Sequence, residues 1–139
     1  MRGAYMGKLE EAREMFSKDL YATKLTGCEI DEWREDYAKC SMKVTPDHRN
    51  AYGGIMGGAI YTLADFAFAV ASNFDKEVAT VSVVGQASFM SASKGSVLFA
   101  EAELLKDGRT NAFYEVRVTD DLGKLVAVVN FNGAHVSKA

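Results

Sequence analysis

Apolar residues return at Leu9, Ala12, Met15, Phe16 and Leu20 with charged residues between them, a spacing that lines one face of a helix. Gly27 follows, and the period shortens to two. Residues 28–31 and 37–45 read as strands, the second alternating Tyr37, Lys39, Ser41 and Lys43 with Ala38, Cys40, Met42 and Val44. Pro46 ends that run because it has no N–H to give to a ladder. A polar, glycine-rich loop leads into a nearly unbroken apolar stretch predicted as a helix over Gly57–Asn73. Four strand-like segments close the chain at 78–90, 96–105, 110–119 and 124–131. In the first of them Ala79, Val81, Val83, Ala87 and Phe89 alternate with Thr80, Ser82, Gln86 and Ser88. The stretches between, 92–95, 106–108 and 120–123, each carry the Gly or Asp that tight turns need.

The order is helix, two strands, one long apolar helix, four strands. Strands in antiparallel succession with a single central helix predict an α+β fold whose sheet wraps that helix. The 139 residues suit one domain over 1–139, the first 25 or so forming an N-terminal helical extension. One helix against one sheet is a thin core for this length, so a second copy is expected to cover part of it.

Composition excludes more than it assigns. The net charge of −3 (16 basic, 19 acidic residues), with no basic run, lacks the electrostatic footprint of a nucleic-acid groove. Cys28 and Cys40, the two cysteines, make neither a disulfide framework nor a zinc-site spacing, so no metal is expected. The apolar run 55–71 holds Asp65 and three glycines and falls short of the ~20 residues of a membrane span. Residues 1–9 lack the apolar core of a signal peptide, and cytoplasmic residence is the default expectation.

The chemistry concentrates in His48-Arg49-Asn50-Ala51-Tyr52-Gly53-Gly54-Ile55-Met56-Gly57-Gly58 and in Leu63-Ala64-Asp65. Gly57 and Gly58 open the long helix with no side chains over its first N–H groups. Those donors, with the positive end of the helix dipole, suit a developing oxyanion, although glycines also begin helices for packing reasons. Asp65 is the one ionisable carboxylate or amine between Met56 and Asn73. Aspartate is a poor helix-interior residue and costly to bury unpaired, so a carboxylate in so apolar a helix reads as a functional group, the alternative being a carboxylate on the helix's exposed or hydrogen-bonded edge.

These residues, in this order, resemble the phenylacetic-acid-degradation branch of the hotdog-fold thioesterases, whose pattern is Asn-x-x-Gly-x-x-His-Gly-Gly followed by Leu-Ala-Asp. Asn50, Gly53, Gly57, Gly58, Leu63, Ala64 and Asp65 match at the family spacing. The likeness continues through Thr80-Val81-Ser82, Phe89-Met90-Ser91, Asp107-Gly108-Arg109-Thr110 and Asp121-Leu122-Gly123-Lys124-Leu125-Val126-Ala127. One position departs: the family His before the glycine pair is Met56, which fills space but cannot hydrogen-bond in the same way. The resemblance implies an acyl-CoA thioesterase without a cofactor, CoA being part of the substrate. It implies that Asp65 attacks the thioester or activates water, that the Gly57 amide holds the oxyanion, and that Asn50 positions the carbonyl or the water. Ser82 falls where some members place a Ser or Thr beside the attacking water; a polar residue on a strand's outer face is the equal alternative.

Gly57 and Asp65 stand eight residues apart, ~12 Å along one helix. A single carbonyl cannot lie beside both, so a shared thioester requires two chains with antiparallel helices. The resemblance implies the same homodimer, often paired into a tetramer. For the CoA half, Lys94 and the turn Gly108-Arg109-Thr110 are candidates, as basic residues in glycine turns suit phosphate; they also read as ordinary hairpin residues. Competing readings are an acyl-CoA-binding domain without turnover, which Met56 favours, and a dehydratase, whose catalytic His the helix does not offer. His48 and His135 have no assigned role.

Overall fold

A computed structural model describes residues 2–137, with side chains from Gly7 onward. Met1, Lys138 and Ala139, which the one-domain reading includes, lie outside the described residues. Helix α1 spans Arg2–Phe16, earlier at both ends than the apolar spacing predicts. Leu20 falls beyond it and is exposed, in a turn that winds into one π-helical segment, Tyr21–Thr26. Gly27 ends that segment at φ +83°, where its N–H bonds the Ala22 carbonyl. Only glycine adopts that left-handed conformation without strain.

Six strands follow in one sheet: β1 (Cys28–Arg34), β2 (Tyr37–Lys43), β3 (Ala79–Phe89), β4 (Val97–Asp107), β5 (Asn111–Asp120) and β6 (Leu125–Val136). Every neighbouring pair is antiparallel, in the order β1-β2-β4-β5-β6-β3. Helix α2, Gly57–Asn73, matches the predicted span and sits in the curve of this sheet. Its Leu63, Phe66, Phe68 and Val70 are at most 2% exposed, each such burial being worth ~1.5–3 kcal/mol. Phe68 stacks on Phe131 of β6 at 4.5 Å and meets Tyr114 of β5 edge-on. This is the expected α+β architecture, and it is the hotdog fold.

Three strands run further than the sequence pattern predicts. A bulge at Asp31 carries β1 to Arg34. β4 continues to Asp107, so the predicted turn at 106–108 begins two residues later. β6 runs five residues past Phe131, because β3 and β5 hold it from both sides: Ala134 pairs with Val81 and with Asn111. Gly133 is required there, since a Cβ would lie 2.5 Å from the Thr80 methyl and 3.2 Å from Phe68.

β3 is an edge strand, paired to β6 alone. Its register slips between Ser82 and Val84, leaving Val83 unpaired in a bulge. The apolar members of its alternation are not the buried ones: Thr80 is 4% exposed, whereas Val81, Val83, Val84 and Phe89 are 48–63% exposed.

Candidate active site

The loop before α2 is organised by one side chain. Asn50 Oδ1 accepts the backbone N–H groups of Tyr52 (2.9 Å) and Gly54 (3.1 Å), while the Asn50 N–H bonds the Gly54 carbonyl at 2.8 Å. Gly53 turns the loop at φ +85°. With the amide oxygen so engaged, the Asn50 Nδ2 group is the donor of that side chain that meets no acceptor among the described residues.

His48 anchors the base of the loop. Its Nδ1 accepts the Thr45 N–H at 3.0 Å, so Nε2 carries the proton and donates to the Thr26 carbonyl at 2.7 Å. Its own carbonyl accepts the Met56 N–H at 2.8 Å. This buried imidazole therefore ties the N-terminal segment to the start of α2. Its sequence neighbours gave no sign of that role, because Thr26 is 22 residues away.

Met56 precedes α2 in extended conformation and caps it with no side-chain bond. The Ala59 and Ile60 N–H groups turn back to the Met56 carbonyl. Among the described residues, no acceptor meets the N–H groups of Gly57 and Gly58. They are the orphan donors that a helix start leaves. A Cβ at Gly57 would lie 3.1 Å from Phe89 Cζ, so the end of β3 walls this amide. Ile55, Ile60, Phe89 and Met90 line a shallow cleft against it.

Asp65 lies two turns further along α2, half-buried. Burial chiefly, and the negative charge of Asp19 secondly, raise its carboxyl above the ordinary value of 3.8. No hydrogen-bond donor among the described residues offsets the lost hydration. Asp19 belongs to the turn between α1 and the π-helical segment, 46 positions earlier, and no sequence signal pointed to it. Tyr61, one turn before Asp65, crosses Gly85 of β3 so closely that a Cβ there would overlap its hydroxyl. Phe68, one turn after, reaches Gly133, the cross-strand partner of Ser82. Asp65 thus lies along α2 between the levels of Gly85 and Ser82. Ser82 is exposed on β3, and no hydrogen bond joins it to Asp65 among the described residues.

Not all the candidates come together in one chain. Gly57 and Asp65 keep the ~12 Å helical separation. Lys94 is exposed before β4 and Arg109 exposed after it, ~35 Å apart across 11 strand residues. At the Arg109 end, the Gly108 N–H bonds the Asn111 carbonyl and the Thr110 carbonyl accepts the His135 N–H. His135, unassigned from sequence, is fully engaged: Nε2 donates to Asp107 at 2.7 Å and Nδ1 meets the Thr80 hydroxyl at 2.8 Å. At the other end Asp120 receives Ser93 Oγ and the N–H groups of Leu122 and Lys124, bonds that hold its carboxyl below the usual range. No helix among the described residues is long and apolar enough to cross a membrane.

A thioesterase superfamily model matches residues 52–127. A putative esterase of Archaeoglobus fulgidus is 34% identical over 120 residues, which cover 86% of this chain and 78% of that protein. The acyl-coenzyme A thioesterase PaaI of Escherichia coli is 29% identical over 119 residues, 86% of this chain and 84% of that one. In fold, the structure of the E. coli PaaI protein from the phenylacetic acid degradation operon superposes with a TM-score of 0.86 at 23% identity, covering 97% and 98% of the two chains. With α2 and the glycine-to-aspartate stretch inside the matched residues 52–127, this chain belongs to the hotdog-fold thioesterase superfamily, in its PaaI-like branch, and is a thioesterase.

Proposed function

We propose that the whole chain acts as one cytoplasmic domain that hydrolyses an acyl-CoA to the free acid and CoA, at a site built from two copies. The observation that carries this reading is the pair of functional groups on α2. Among the described residues, Asp65 is a half-buried carboxylate without a hydrogen-bond donor, and Gly57 offers an amide without an acceptor. One needs a proton or a carbonyl carbon, the other an oxyanion, which are the two ends of a thioester hydrolysis.

In this scheme Asp65 accepts a proton from water as the oxygen attacks the thioester carbon. The carbonyl electrons move to oxygen, and the Gly57 N–H of the other copy donates a hydrogen bond to the resulting oxyanion. Collapse then breaks the C–S bond, and the departing thiolate takes the proton back. A raised carboxyl pKa makes Asp65 a stronger base than an ordinary aspartate. Direct attack by Asp65, with water cleaving the resulting anhydride, uses the same groups. Asn50 Nδ2, beside the glycine loop, is free to orient the carbonyl or the water. Ser82, exposed on β3, is the candidate second contact to that water.

The edge of β3 supports the pairing. It leaves a row of backbone N–H and C=O groups open beside exposed Val81, Val83, Val84 and Phe89, and proteins seldom leave so long an apolar edge uncovered. Antiparallel pairing of two β3 edges would reverse one copy against the other, aligning Asp65 of one helix with Gly57 of its neighbour. It would also carry Lys94 of one copy to the Arg109 end of the other, where both could meet CoA phosphates with Gly108 and Thr110. A dimer of such dimers extends the same reading.

The deciding measurement is thiol release from a panel of acyl-CoAs by wild-type and Asp65→Asn protein. Turnover by the first and loss of ~10³-fold or more in the second, ~4 kcal/mol of barrier, is the expected result. Binding without release by the wild type would make the chain an acyl-CoA-binding domain, the role that Met56 in place of His would suit. Retention of more than about a tenth of kcat in Asp65→Asn would remove Asp65 from the chemistry.

A further inference from the structure

A second cavity, of about 460 Å³, opens beneath the N-terminal segment, between α1, the π-helical turn, β1 and α2. Phe16, Cys28, Ile30 and Phe66 form its apolar wall, and Arg13, Ser17, Thr23 and Glu29 complete the lining. We propose that this cavity takes the apolar tail of a straight-chain acyl group whose thioester is held at Asp65, an inference that rests on the thioesterase reading and names its substrate class.

Three observations support it. The volume lies within the ~300–1,000 Å³ of ligand clefts, and the walls are of the apolar kind that such clefts present. Much of the polar lining is engaged: Arg13 Nε bonds the Ile30 carbonyl, an Arg13 amino group bonds Glu10, and the Ser17 and Thr23 hydroxyls bond the Glu14 and Asp19 carbonyls. Burial pushes the Cys28 thiol up to about 12, so that wall is uncharged. An occupant would meet mainly hydrocarbon, sulfur and aromatic rings at Phe16, Cys28, Ile30 and Phe66, with Arg13 and Glu29 completing the lining.

The cavity is also joined to the site. Phe66 follows Asp65 directly on α2, and it packs edge-on against Phe16 with ring centres 6.0 Å apart. Asp19, in the turn that supplies Ser17 to the cavity, acts electrostatically on both Asp65 and Cys28 and so lies near each of them. In this proposal a chain leaving the thioester beside Asp65 follows this turn into the cavity. A short acyl group would not reach it, so chain length is the property that it reads.

The test uses butyryl-, octanoyl- and decanoyl-CoA with wild type, Thr23→Phe, which fills the cavity, and Phe16→Ala, which enlarges it. Calorimetric binding of decanoate is followed in parallel. The wild type should show kcat/KM rising at least tenfold from butyryl- to decanoyl-CoA. Thr23→Phe should abolish the rise while leaving butyryl-CoA turnover within about twofold, and Phe16→Ala should move the optimum to longer chains. Decanoate should bind wild type and not a folded Thr23→Phe protein. Chain-length profiles unchanged in both variants, or depressed equally at every length, would overturn the proposal. So would decanoate that fails to bind wild type or binds Thr23→Phe equally. If no acyl-CoA is hydrolysed by the wild type, the thioesterase reading itself fails, and the decanoate arm still decides whether the cavity takes an apolar chain.

Discussion

The Phe89 ring lies across Gly57, so close that a methyl group added there would stand 3.1 Å from Cζ. The amide at the start of α2 and the end of β3 are thus fitted to one another, and the proposed oxyanion donor has an aromatic wall. Gly57→Ala keeps the N–H but forces the ring aside by a few tenths of an ångström. Activity should fall by about tenfold, ~1.4 kcal/mol in barrier, with little change in melting temperature. Phe89→Leu in the same protein should recover part of it. An unaltered rate in Gly57→Ala would mean that the ring does not shape the site.

Asp65 carries a pH signature. Its carboxyl is raised by burial first and by Asp19 second, so ionisation is penalised in the folded state. For a carboxyl raised above its unfolded value, that penalty is full above the folded pKa and fades as pH falls through it towards 3.8. Asp65→Asn should therefore raise Tm at pH 7, with a gain that shrinks under acid conditions. Asp19→Asn removes one cause of the shift, so the acid limb of the pH–kcat profile should move to lower pH. A limb that stays in place would separate Asp19 from the reaction.

Asn50 holds its loop with oxygen and leaves its nitrogen free. Asn50→Asp keeps an acceptor for Tyr52 and Gly54 but has no N–H to offer, whereas Asn50→Ala loses both functions. If the nitrogen orients the reacting centre, both variants should lose kcat more than KM rises, and Asn50→Ala should also melt lower. An effect confined to KM in Asn50→Asp would recast Asn50 as a binding residue.

Sharing of the site between chains gives a numerical expectation. Asp65→Asn and Gly57→Pro proteins, each inactive, should complement when subunits exchange. Random mixing makes about half the dimers mixed, each with one intact site, so about a quarter of wild-type activity should return on the two-chain geometry. Proline suits the first position of a helix, and Met56 before it already has the extended conformation that a following proline requires. Circular dichroism checks the fold of Gly57→Pro, whose ring must also displace Phe89. Verified exchange with no recovery of activity would exclude a shared site.

Much of the molecule was legible in the chain itself. The extent of α2 followed from an uninterrupted apolar run between a glycine pair and Asn73, since helix hydrogen bonds close within the segment. Asp65 stood out because an ionisable group in so apolar a helix has few structural uses. The separation of Gly57 from Asp65 followed from helical rise alone. Strand ends were less legible: β6 runs through Asn130, Asn132 and Gly133, poor strand formers held in place by β3 on one side and β5 on the other. The apolar alternation of β3 marked a strand correctly but could not say which face is covered. That depends on its place at the sheet edge and on a bulge at Val83 that shifts the register. Tertiary structure alone brought Asp19 beside Asp65, His48 under Thr26 and the Phe89 ring over Gly57. These are contacts between segments 22 to 46 positions apart, fixed by chain reversal and close packing, to which no local period or spacing corresponds.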